Sequence, residues 1–161
     1  MEEKNKVVRM ETSKGTMTLE LYAARAPKTV ERFMAAVNAG MYDGLKFHRI
    51  IKDFMVQGGD PQGTGMGGGN VKFEGSNVKH VPGVISMAAQ QARVDQSDMQ
   101  FFIMTSTSDQ LDGSYTAFGH VTEGMDVLAA IAATPVAQAP WGECSRPVED
   151  VRIVKASEIL D

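Results

Sequence analysis

Apolar residues in this chain come in short runs, at 45–51, 54–58, 84–87, 101–104 and 117–121, each bounded by Gly, Asp, Asn or Ser. Runs of that length with that punctuation read as strands rather than helices. The N-terminal segment adds two strands of another kind. Val8, Met10 and Thr12 alternate with charged or polar neighbours over 6–13, and Met17, Leu19 and Leu21 alternate with Thr18 and Glu20 over 16–22. A period of two places alternate side chains on one face of a strand. Lys14-Gly15 supplies the turn, so the chain is expected to open on a hairpin. A final run over 147–156 carries Val148, Val151 and Ile153 among polar residues.

Only two segments change period. Val30, Phe33, Met34 and Val37 stand at i, i+3, i+4 and i+7, which predicts a helix over 27–39. Pro27 suits its first turn and Gly40 the position just past its end. A second helix is expected over 125–133, with Val127, Leu128 and Ile131 inward and Pro135 as the stop. Seven or eight short strands with two helices predict a mainly β architecture, an antiparallel barrel or sandwich. Strands do not alternate with helices, which argues against a doubly wound α/β sheet. With 161 residues, no internal repeat and no linker, a single domain over 1–161 is expected.

Composition excludes several functions. The 16 Lys and Arg against 20 Asp and Glu give a net charge of -4, without the clustered basic footprint of a nucleic-acid binder. Cys144 is the only cysteine, so no intrachain disulfide forms, as in a reducing compartment. No leader-like apolar run opens the chain, and no stretch approaches the ~20 apolar residues of a membrane span. A cytoplasmic protein without nucleic-acid or membrane partners is the expectation, and nothing suggests more than a monomer.

Familiar catalytic signals are missing. Gly63-Thr64-Gly65-Met66-Gly67-Gly68 satisfies G-x-G-x-x-G, but Asn70-Val71-Lys72-Phe73 after it does not read as a helix. A dinucleotide or nucleotide site is therefore disfavoured, and a flexible surface loop is expected. His48, His80 and His120 stand apart, outside any metal-ligand spacing, so no metal and no cofactor are expected. Cys144 reads as a small buried or half-buried thiol rather than a nucleophile.

The informative stretch is Phe47-His48-Arg49-Ile50-Ile51-Lys52-Asp53-Phe54-Met55-Val56-Gln57-Gly58-Gly59-Asp60. It reads as two short strands joined at Lys52-Asp53, with Arg49 and Gln57 as the polar members. Phe54 and Met55 are adjacent and would face opposite ways on an ideal strand unless a bend brings them together. Arg49 is either an exposed arginine or one held at the mouth of an apolar pocket.

This segment resembles the signature of the cyclophilins. Gly83-Val84-Ile85-Ser86-Met87-Ala88 and Gln100-Phe101-Phe102-Ile103 resemble the family's next two strands. The run from Leu111 to Val121, with Tyr115-Thr116-Ala117-Phe118-Gly119-His120, resembles the loop and strand beyond. The resemblance covers roughly residues 7–156. It implies an eight-stranded closed antiparallel β-barrel capped by two helices and peptidyl-prolyl cis/trans isomerase activity without cofactor or metal. It implies proline-containing peptides and unfolded proteins as partners.

Carried over by position, Arg49 matches the family's catalytic arginine and Gln57 the glutamine beside it. Phe54, Met55, Phe102 and Leu111 match the walls of the proline pocket, and Ala88 and Gln100 match residues lining the peptide groove. Three positions depart. Ala89 stands where many members have Asn, which removes a side-chain amide from the groove. Gln110 stands where many eukaryotic members have Trp, whose indole N–H donates to cyclosporin, so weakened affinity for that drug is implied. Tyr115 stands where those members have His, and keeps an aromatic wall with a hydroxyl tip. The loop 89–99 looks longer than usual. The alternative function is a non-catalytic module that binds proline peptides.

Overall fold

A computed structural model describes residues 4–64, 67–91, 93–140 and 142–160. The opening hairpin is formed by β1 (Lys6–Thr12) and β2 (Gly15–Leu21), followed by α1 (Pro27–Asn38). Then come β3 (Arg49–Ile51), β4 (Met55–Gly58), β5 (Asn70–Val71), β6 (Val84–Met87), β7 (Gln96–Ser97), β8 (Phe101–Met104) and β9 (Ala117–Glu123). The chain closes with α2 (Met125–Ala132), β10 (Val136–Gln138), β11 (Cys144–Pro147) and β12 (Ile153–Glu158).

Eight strands form one antiparallel sheet in the order β12-β1-β2-β9-β6-β8-β4-β3. β5 pairs with β7, and β10 with β11, as separate two-stranded ribbons. The architecture is mainly β with two helices, as expected, but the sheet curls into a half-barrel that stays open. β3 and β12 are its edges and no ladder joins them. Residues 44–47 cross the seam instead. Lys46 makes an isolated bridge to Arg152, and the Phe47 N–H donates to the Val151 carbonyl at 2.8 Å. With three residues, β3 presents too short an edge for a continuous ladder, which is where the expected closed barrel fails.

The hairpin register runs from Lys6 opposite Leu21 to Thr12 opposite Gly15. It sets Val8, Met10, Met17, Leu19 and Leu21 inside, all fully buried. Helix α1 lays Val30, Phe33, Met34 and Val37 onto this core, as its period predicts. Its end is a Schellman turn. Gly40, at φ 72°, sends its N–H to the Val37 carbonyl, and the Met41 N–H reaches the Ala36 carbonyl at 2.9 Å. Phe33 joins helix to sheet, its ring centroid 5.0 Å from Tyr42, 5.2 Å from Phe118 and 6.0 Å from Phe101. Among the described residues, seven methionines are buried, where an unbranched thioether fills irregular gaps.

Residues 147–156 are not one strand. Pro147 ends β11, and β12 begins only at Ile153. Val148 lies between them and is 64% exposed. Val127 faces the core as expected but stays half-buried, while Leu128 and Ile131 are buried. The ribbons β5, β7 and β10 were not anticipated, because two or three residues carry no period.

Phe33→Ala is expected to cost about 3–5 kcal/mol, since it removes a fully buried ring between helix and sheet. Urea unfolding checks this as a lowered midpoint with an unchanged slope.

Candidate active site

Three adjoining strands, β6, β8 and β4, are buried at every position. Successive side chains therefore supply two different apolar layers. Val56, Ile85, Met87, Phe101 and Ile103 join the inner core, whereas Met55, Val84, Phe102 and Met104 form a second cluster on the opposite face. Ala117, Ile51, Phe54, Ala88, Leu111 and Tyr115 pack around that second cluster.

Cross-strand register aligns the polar members on the same outer face. Arg49 stands opposite Gln57, Gln57 opposite Phe102, and Phe102 opposite Ser86. Arg49 Nη1–H consequently donates to Gln57 Oε1 at 2.9 Å. Gln57 Nε2–H passes the chain on to Gln100 Oε1 at 3.1 Å, and Gln100 Nε2–H donates to the Gly67 carbonyl at 3.0 Å. The turn at Lys52-Asp53 joins β3 to β4 as expected, with Asp53 in the left-handed region at φ 59°. Phe54 sits in this turn, its N–H on the Ile51 carbonyl at 3.1 Å and its own carbonyl accepting from the Thr105 N–H at 3.0 Å. This is the bend that lets Phe54 and Met55 face one hollow.

That hollow has a volume of ≈ 220 Å³ and is lined by Arg49, Phe54, Met55, Gln57, Ala88, Ala89, Phe102, Leu111 and Tyr115. Nine of the eleven residues singled out in the sequence thus converge. Gln100 lies one hydrogen bond further in, behind Gln57. It lines a wider groove of ≈ 760 Å³ that shares Gln57, Ala88 and Ala89 with the hollow and extends along Gly67, Gly68, Gly69, Val94 and Asp95. Gln110 is exposed on a single 3-10 turn, Asp109–Leu111, and is not among the residues lining the hollow.

Two neighbours of the hollow were not foreseen. The first is Glu143, on the loop between β10 and β11. Its Oε1 accepts from Arg49 Nε–H at 2.9 Å and its Oε2 from Arg49 Nη2–H at 3.0 Å. The two residues are 94 apart in sequence, and nothing local to either announces the pair. The second is a buried polar chain behind Phe102. The His80 ring stacks on Phe102 at 5.9 Å and 17°, and Tyr115 meets Phe102 edge-on at 6.0 Å. His80 Nδ1 lies 3.0 Å from Asp112 Oδ1 and Nε2 lies 2.9 Å from Ser86 Oγ. An ionised carboxylate only accepts, so Nδ1 carries the proton and, in the neutral ring, Nε2 accepts from the Ser86 hydroxyl. The His80 backbone N–H also donates to Asp112 Oδ1, at 2.6 Å. This ties the loop bearing Leu111 to the floor beneath Phe102.

The remaining candidates fall elsewhere. Asp60 shapes the start of the Gly-rich loop by accepting from the Gln62 and Thr64 N–H groups at 2.9 and 3.0 Å. Gly65 and Met66 lie outside the described residues. The loop leads into β5 rather than a helix, so it lacks the setting of a dinucleotide fingerprint, and its Gly67–Gly69 portion forms a wall of the groove. His120 bonds Tyr22 through Nδ1, and His48 is buried with no hydrogen-bond partner among the described residues. Cys144 is exposed, not buried as expected. It stands on the ribbon of β10 and β11, outside the main sheet.

Burial pushes the His80 imidazole below its usual range, against the raising effect of the Asp112 hydrogen bond and charge. Burial does the same to His48, opposed by Asp60 and assisted by Arg49 and Lys46. In the unfolded chain both titrate near ~6.5. Below that pH the unfolded state binds more protons, so stability is present above about pH 6.5 and declines as pH falls through the depressed values. The slope reaches at most ~1.4 kcal/mol per pH unit for each imidazole. Urea midpoints should therefore fall between about pH 7 and pH 5.5; a midpoint that rose on acidification would mean that these rings are charged in the folded state.

Residues 7–158 match the protein-family model described as "Cyclophilin type peptidyl-prolyl cis-trans isomerase/CLD". A peptidyl-prolyl cis-trans isomerase-like 1 of Neurospora crassa is 45% identical over 161 aligned residues, covering 96% of this chain and 94% of that protein. The Homo sapiens protein of the same name is 42% identical, covering 92% of this chain and 90% of its own length. The crystal structure of a cyclophilin type isomerase from Cryptosporidium parvum superposes with a TM-score of 0.89 at 30% identity, over 98% of this chain and 99% of the other. The same protein in the presence of the dipeptide Ala-Pro gives a TM-score of 0.87.

Proposed function

The chain belongs to the cyclophilin-type peptidyl-prolyl cis-trans isomerases and carries that enzyme activity, and we propose that its catalytic centre is the hollow between Arg49 and Phe102. Proline-containing peptides are the substrates of such an enzyme. The observation that carries the reading is the convergence of one charged fork and an apolar wall on the same ≈ 220 Å³ hollow.

The chemistry asks for little more. The two forms of an Xaa-Pro bond differ by only about 0.5–1 kcal/mol, yet amide resonance sets a rotation barrier of ~18–20 kcal/mol. Uncatalysed exchange takes ~10–100 s. No bond is broken, so neither a nucleophile nor a base is required. The catalyst must favour the twisted amide, in which resonance is lost and the prolyl nitrogen turns pyramidal. Phe54, Met55, Phe102 and Leu111 grip the pyrrolidine ring while the preceding carbonyl rotates. Arg49 then offers N–H donors that the twisted state uses better than the planar one, because its guanidinium stays charged and rigidly planar. A ten-thousand-fold acceleration needs about 5.5 kcal/mol. A charged hydrogen bond in a partly dry site, with packing specific to the transition state, is of that order. Unfolded proteins with exposed Xaa-Pro segments are the physiological clients in this reading, and the protein acts as a cytoplasmic monomer.

Phe102→Ala opens the wall opposite Arg49, and steady-state kinetics on a proline peptide should show kcat/KM lowered at least about ten-fold, or ~1.4 kcal/mol. Turnover equal to wild type would put the proline ring elsewhere. Cyclosporin should inhibit weakly, because Gln110 supplies no indole donor, and Gln110→Trp should strengthen inhibition. Tight inhibition of the wild type would show that the drug finds another anchor.

A further inference from the structure

The guanidinium of Arg49 has five N–H groups. Three are engaged within the protein, Nε–H and one Nη2–H by Glu143 and one Nη1–H by Gln57. Among the described residues, that leaves one N–H on each terminal nitrogen. Gln57 comes from β4, across the hairpin from Arg49, whereas Glu143 comes from a separate two-stranded ribbon. Two independent elements therefore hold the same plane.

We propose that Glu143 is a positioning residue for the isomerisation: it locks the guanidinium plane of Arg49 so that the remaining terminal N–H groups face the prolyl peptide. The proposal rests on the reading of Arg49 given above. An arginine side chain in the strand edge β3 is long and, at about one-third exposure, free to swing toward solvent. Such freedom is costly for a reaction that needs a donor aimed at one changing carbonyl or nitrogen. A side-on pair with a carboxylate removes it, because two parallel bonds fix both the position and the tilt of the fork. The backbone of Glu143 is itself anchored. Its carbonyl accepts from the Ala139 N–H at 2.7 Å, and the Gly142 N–H returns to the Ala139 carbonyl at 2.9 Å. Gln138 Nε2–H adds a bond to the Gly142 carbonyl at 3.2 Å.

The pairing also changes what Arg49 presents. With a carboxylate on its outer edge, the guanidinium acts on substrate as a local, directional donor rather than as an isolated positive charge. Its contribution should appear in turnover, where direction matters, more than in capture of the peptide.

The test compares Glu143→Ala and Glu143→Gln with wild type and with Arg49→Ala, by kcat and KM on an Ala-Pro-Phe peptide and by the Arg49 Nε–H resonance in 15N spectra. In Glu143→Ala, kcat should fall roughly 10- to 100-fold while KM stays within about two-fold. The Arg49 Nε–H resonance should lose its protection from exchange with water. Glu143→Gln keeps one acceptor oxygen and should recover part of kcat. If Arg49→Ala is inactive but Glu143→Ala turns over like wild type, the ion pair is structural only and the proposal fails. A faster Glu143→Ala would also overturn it, by making Glu143 a competitor for the donors. If Arg49→Ala itself retains full kcat, the reading of Arg49 fails instead, whatever Glu143 does.

Discussion

In β4, Val56 packs into the inner core while Met55 joins the apolar cluster outside, and β8 beside it and β6 beyond divide their side chains the same way. A sheet buried on both faces at its centre has to seal its outer face with something other than a second sheet. Here that cover is local: the turn at Phe54, the loop bearing Leu111 and Tyr115, and the residues just beyond β6. A cover built from short segments leaves a hollow, and the strand register decides which side chains line it. A slip of β3 by one residue against β4 would turn Arg49 toward the inner core and away from Gln57.

The same constraint explains why the site is polar on one side only. Arg49, on the edge strand β3, is half-buried, while Phe102, two strands further in, is almost wholly so. Moving across the sheet from edge to centre takes the site from a hydrated donor to an apolar wall. The wall is stiffened from beneath by His80, whose ring is fully buried and whose neutral form bridges Asp112 and Ser86. The donor is held from outside by Glu143. A reaction that needs a gripped ring and an aimed N–H is served by those two kinds of support.

Much of this was legible beforehand because it is local. The period of two in 6–22 set the hairpin, and the i, i+3, i+4, i+7 spacing set α1 down to the Gly40 turn that ends it. Arg49 and Gln57, eight residues apart across a short hairpin, were marked as partners by resemblance to a family signature. What escaped depends on distant segments. Glu143 is an acidic residue in an irregular stretch, and only the fold brings it to Arg49. His80 and Asp112 belong to two loops that meet behind Phe102. Cys144 was read as a buried or half-buried thiol and Val148 as part of a strand, but the ribbon of β10 and β11 stands off the main sheet and leaves Cys144, and Val148 just past it, exposed. The sheet's failure to close likewise turns on the length of β3, which no pattern in 45–51 reveals.

In this mechanism Arg49 acts on the twisted amide rather than on binding. NMR exchange spectroscopy across the Ala-Pro bond of a peptide, with catalytic amounts of wild type or of Arg49→Ala, tests it directly. The wild type should give cis–trans exchange cross-peaks, and the variant should still shift the peptide resonances on binding but lose most of the exchange. A variant that binds the peptide and exchanges it as fast as wild type would mean that Arg49 does not act on the twisted amide.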